Sequence, residues 1–137
     1  MNQMQRAFAG AFCLSLTALP LAAQTKAPAQ QLPALPQDML GSWGREPEDC
    51  TESESDGRMH ITAKAVEFMD SKLHIQRIRQ TKEGWWRLEG MKQETGKKIL
   101  RRAAMDLRLK GKEGLALSNG PEKPEDFVRC KPAQLQG

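Results

Sequence analysis

At 137 residues, with 39% hydrophobic and 5% aromatic side chains, the chain accommodates one small domain, without an internal repeat or a second core. The formal net charge of +4 is modest. The basic residues also lack the aromatic interleaving of a single-strand binder, so nucleic acid is not expected as a partner.

In chain order, residues 1–23 carry Arg6 as their one charge, an apolar stretch from Ala7 to Leu21, and Pro20 ahead of the small pair Ala22–Ala23. That layout predicts a secretory signal peptide cut after Ala23, and hence a periplasmic or secreted protein. Ser15, Thr17 and Pro20 interrupt the run, which falls short of the ~20 apolar residues of a bilayer span, so the protein is expected not to cross a membrane. Residues 24–37, QTKAPAQQLPALPQ, are rich in Pro, Ala and Gln and read as a flexible extended arm. A single β domain is expected over 38–132, followed by a short tail at 133–137.

Cleavage removes Cys13 and leaves Cys50 and Cys130 as the two cysteines of an exported chain. One pairing is then available, a disulfide joining the start of the domain to its end. In the chain-entropy picture closing a loop of that size stabilises by roughly 4–5 kcal/mol, a large share of the total for a small domain.

Strand signals dominate the rest. A single helical turn is plausible around Pro36–Leu40, leading into Gly41. Met59, Ile61 and Ala63, then Val66 and Phe68, then Leu73 and Ile75 make short alternating runs with polar breaks between them. In GWWRLEGM, Trp86 and Leu88 share one face while Trp85, Arg87 and Glu89 share the other. From Ile99 the apolar positions Ala103, Met105, Leu107 and Leu109 alternate with Arg102, Asp106, Arg108 and Lys110. Gly111 and Gly114 bracket a turn, and Leu115 and Leu117 complete a hairpin. Arg101 and Ala104 fit less well, which suggests a bulge or loop there. The composition of Lys92–Ala104 also permits a helix, although Gly96 divides it. DFVRC forms the last strand. The expectation is an all-β fold, a small antiparallel β-barrel or sandwich closed by one disulfide.

The order of a short turn, Gly41-x-Trp43 and then strands resembles small calycin-type barrels. The likeness to lipocalins implies that Trp43 plugs the closed end of the barrel and that Arg129, from the last strand, packs over it. The stretch LPALPQDMLGSWGREPEDC also resembles the opening of the periplasmic inhibitors of serralysin-type metalloproteases. Those are disulfide-bonded eight-stranded barrels with a flexible N-terminal trunk and a cysteine soon after G-x-W. In that family the second cysteine lies much closer to the first, and Gln24–Thr25–Lys26 does not match its small-residue trunk.

Charge is distributed unevenly. Asp38 to Asp56 holds seven acids against Arg45, whereas Lys72 to Lys112 holds thirteen bases against four acids. Such asymmetry fits an anionic envelope component or an acidic protein face as partner, and it also fits the polar outer faces of alternating strands. CTESESDG lacks the spacing of a calcium loop and reads as a solvated loop. His60 and His74 read as outward-facing surface histidines, so neither metal nor cofactor is expected. No nucleophile motif occurs and the serines have no histidine partner evident in sequence, so no catalytic residue is assigned and an enzyme is not expected.

What remains is surface. Of Trp85 and Trp86 one faces the core, which makes Trp85, flanked by Arg87, the outward candidate unless a neighbouring element covers it. Trp85, Arg87 and Arg108 are the candidate partner contacts. The expected function is an exported small binding module, inhibitor-like and acting by surface contact on another exported protein. The alternatives are a lipocalin-like carrier of a small apolar ligand and an envelope-associated structural protein.

Overall fold

The computed structural model describes residues 33–132. The expected signal peptide, residues 24–32 of the expected arm and the 133–137 tail lie outside the described residues.

Eight antiparallel strands form a closed barrel: β1 Gly41–Gly44, β2 Arg58–Ile61, β3 Ala65–Phe68, β4 Ser71–Gln80, β5 Trp86–Glu94, β6 Leu100–Lys110, β7 Gly114–Ser118 and β8 Glu125–Arg129. Each strand pairs with the next and β8 returns to β1. The expected all-β fold is therefore a barrel, and the sandwich alternative falls away. Two 3-10 turns flank β1, at Gln37–Met39 and Pro47–Cys50.

Alternation explains the packing. Because neighbouring residues on a strand point to opposite faces, Trp43, Met59, Ile61, Val66, Leu73, Leu88, Leu107, Leu115 and Leu117 converge inside, each no more than 2% exposed. Burying one such side chain stabilises by about 1.5–3 kcal/mol, so these inward positions carry most of the drive to close. Met39, from the first 3-10 turn, closes one end, and Leu35 joins the same cluster. The body thus reaches back into the segment read as the arm, because Leu35 has apolar surface to bury.

Strands β4, β5 and β6 have 10, 9 and 11 residues, against four or five in the others. One wall of the barrel is therefore taller than the rest, and it carries a bulge. The register slips between Ile75 and Arg77, so Gln76 is an extra residue on β4. Gly90 lies opposite Ile75, where a Cβ would overlap the His74 carbonyl oxygen, so the bulge demands glycine there.

The sequence expectations need three adjustments. Ala63 lies exposed in the turn after β2 rather than on a strand. The segment Lys92–Ala104 is strand, turn and strand rather than helix, with Gly96 in the turn at φ +78. No register shift occurs at Arg101 or Ala104: β6 pairs continuously with β5, and Arg101 occupies its odd position at an exposed end where nothing apolar is required.

The seam of the barrel is narrow. β1 and β8 share the register pairs Trp43–Arg129 and Gly44–Val128, and the Cys130 amide donates to the Ser42 carbonyl at 3.0 Å. The Cys50–Cys130 disulfide bridges this place, with a Cα–Cα distance of 5.2 Å and a sequence separation of 80. The predicted pairing is present.

Candidate functional site

Two ends of the barrel present chemistry. At the first, Trp43 is fully buried, and its indole N–H donates to the Met39 carbonyl at 3.0 Å. The Arg129 guanidinium stacks 4.2 Å from the ring centroid, the cation–π contact implied by the lipocalin likeness. Arg129 also donates to the carbonyls of Lys112 (3.1 Å), Leu40 (3.3 Å) and Asp38. These carbonyls belong to the 3-10 turn, the residue leading into β1 and the β6–β7 turn, so one side chain ties three segments over the plug. Gly41 lies beneath at φ +112, a left-handed conformation that favours glycine. This group is structural.

The same end holds a more exposed constellation. Trp86 is half-buried and packs against the core, leaving Trp85 at the rim, also half-buried. Its backbone N–H donates to the Thr81 hydroxyl at 3.2 Å, which fixes the turn between β4 and β5. Arg108, exposed on β6, covers the Trp85 ring at 4.4 Å from its centroid. Arg87 instead turns to Asp106, at 3.2 Å, and to Glu89. The partner of Trp85 is therefore Arg108 on the neighbouring strand, not the adjacent Arg87. A concavity of about 290 Å³ opens beside the ring, lined by Thr81, Glu83, Trp85, Asp106 and Ser118. Among the described residues Asp106 Oδ1 is the one buried side-chain polar atom without a hydrogen-bond partner.

Along the outer face of β4 and β5, Glu89 gathers Arg77, Arg79 and Arg87. The Arg79 hydrogen bond, helped by the charges of Arg77 and Arg87, holds the Glu89 carboxyl below its ordinary range. A shallow groove of about 510 Å³ runs past this network over Gly90, Ala103 and Ala104.

His60 and His74 are exposed, as expected. His60 is nonetheless not solitary: its Nδ1 hydrogen-bonds the Ser42 hydroxyl at 3.0 Å across the β1–β2 register. The long segment between β1 and β2 hid that pairing from sequence reading. Among the described residues, no group of three His, Cys, Asp or Glu side chains is placed to hold a metal ion.

The acidic loop has an internal job. The Glu46 amide donates to Asp49 Oδ2 at 2.9 Å, and the Ser55 hydroxyl donates to Oδ1. The Ser55 hydrogen bond above all, then the Glu46 amide, lowers the Asp49 pKa. The loop is thereby folded against the seam beside Cys50.

No family model, no curated protein and no solved structure matches the chain. Among the described residues no helix is long and apolar enough to cross a membrane.

Proposed function

We propose that the protein is an exported, non-enzymatic binding module that acts by surface contact on another exported protein, in the manner of a small inhibitor. The observation that carries this reading is the Trp85–Arg108 stack at the rim, standing beside an open concavity. Tryptophan and arginine are both enriched among the few residues that carry most of the binding energy at protein interfaces. The resemblance to metalloprotease inhibitors and lipocalins supports a barrel scaffold for such a role, and the signal-like leader supports export.

A carrier of a small apolar ligand needs an interior cavity. The positions that would line one are filled by Met39, Trp43, Met59, Leu88 and Leu107, each at most 1% exposed, which favours the surface reading.

Affinity capture from a periplasmic extract with the wild-type protein and a Trp85→Ala variant tests the proposal. The expected result is a discrete protein retained by the wild type and weakened at least about tenfold by Trp85→Ala. An identical set of captured proteins for both would overturn the role of this rim.

A further inference from the structure

The far end of the tall wall carries a different surface. β5 and β6 run on into a turn over residues 95–99, and this turn is tied to the one between β3 and β4. The Thr95 amide donates to the Asp70 carbonyl at 2.8 Å, and its hydroxyl to the Met69 carbonyl at 3.2 Å. The two turns therefore form one tip.

Three of the four large hydrophobic side chains exposed among the described residues cluster here. Ile99 is 66% exposed, Met69 51% and Leu100 48%. Apolar side chains at a tip gain nothing from the core and leave uncompensated surface in water. The cations are equally concentrated. Lys72, Lys92, Lys97, Lys98, Arg101 and Arg102 lie around the tip, against the acids Glu67, Asp70 and Glu94. Lys97 is paired with Glu94, whose carboxylate also feels the charges of Arg101 and Lys92. A recess of about 250 Å³ opens between Lys92, Lys97, Arg101 and Arg102, with Ile99 and one acid, Glu94, on its wall.

We infer that this tip docks the protein onto a bilayer containing anionic phospholipid. Ile99, Leu100 and Met69 enter the headgroup–acyl boundary, and Lys92, Lys98, Arg101 and Arg102 meet lipid phosphates. The arrangement matches the demands of a lipid interface. Aliphatic groups sit at the apex, and Lys and Arg stems are long enough to keep their charged ends at headgroup level while lying along apolar surface. Charge complementarity selects an anionic over a neutral surface. An acidic protein would have to supply a groove for a protruding turn, whereas a bilayer accepts it without a preformed cavity. β5 spans about 30 Å between this tip and the Trp85 rim, at ~3.3 Å per residue. A docked molecule therefore presents the rim away from the membrane.

Co-sedimentation of the intact mature protein with vesicles tests this. Phosphatidylcholine vesicles with about one-third phosphatidylglycerol should bind at least about tenfold more protein than pure phosphatidylcholine, and high salt should reduce that binding. The double variant Ile99→Ser/Leu100→Ser and the variant Lys98→Glu should each lose about tenfold on anionic vesicles. Their melting temperatures should match the wild type, because all three side chains are exposed. Lys82→Glu, at the opposite end, and Trp85→Ala should bind vesicles normally, so failure here is separable from failure of the rim proposal. Equal binding to both vesicle types, or wild-type binding by the serine variant, would overturn the inference. Absence of vesicle binding would overturn it too, and would leave an acidic protein face as the chemistry for this tip.

Discussion

The Arg129 guanidinium lies 4.2 Å from the centre of the Trp43 ring, and the two residues are register partners in the strand pair that closes the barrel. The same guanidinium holds three backbone carbonyls, from Asp38, Leu40 and Lys112. A lysine there would keep the charge but not the planar fork that reaches several acceptors at once. Arg129→Lys is expected to lower stability by about 1–2 kcal/mol and Arg129→Ala by about 2–3 kcal/mol, read as midpoint shifts in urea denaturation. Equal stability of Arg129→Ala and wild type would show that the plug needs no cover.

Reduction of the disulfide removes a constraint on 80 residues of chain. The loss expected is about 4 kcal/mol, most of it from the unfolded state regaining freedom. Denaturation of the Cys50→Ser/Cys130→Ser protein measures it directly, and a loss below about 1 kcal/mol would mean that the barrel closes unaided.

Gly90 makes the bulge possible, since any side chain there meets the His74 carbonyl oxygen. Gly90→Ala is expected to cost about 2–3 kcal/mol, because backbone rather than a flexible side chain must move. A thermal melt unchanged from wild type would show that β4 can slip its register instead.

Asp49 gives the protein an acid-side dependence. Its folded pKa is depressed, first by Ser55 and then by the Glu46 amide, below an ordinary value of 3.8. Its contribution is therefore fully present above that ordinary value and is lost as pH falls through the depressed folded pKa. Asp49→Asn should flatten the fall in stability below about pH 4 while leaving the shape of the curve near neutrality unchanged. A fall of the same steepness in the variant would assign the acid sensitivity elsewhere.

Much of this architecture was legible because alternation and cysteine count are strong signals. The β6–β7 hairpin follows from Met105, Leu107, Leu109, Leu115 and Leu117 with glycines at the turn. The Cys50–Cys130 pair follows from the expectation that Cys13 leaves with a signal peptide, and the bond is present. Features that depend on register were not legible. The bulge at Gln76 leaves only the spacing of Ile75 and Ile78 as a trace in sequence, three residues apart instead of two. The Trp85–Arg108 stack and the Ser42–His60 hydrogen bond join neighbouring strands whose alignment is set in three dimensions. The exposure of Ile99 and Leu100 was hidden for a related reason, since apolar letters in a strand run read as core until the height of the neighbouring strands is known.

A two-pair seam, Trp43–Arg129 and Gly44–Val128, is held shut by Cys50–Cys130. Amide hydrogen exchange before and after reduction tests it most directly, with the Cys130 amide, bonded to the Ser42 carbonyl, as reporter. Reduction is predicted to drop protection of that amide well below that of β5 and β6, as the seam opens ahead of the tall wall. A Cys130 amide that stays as protected as those strands after both sulfurs are reduced would contradict the account.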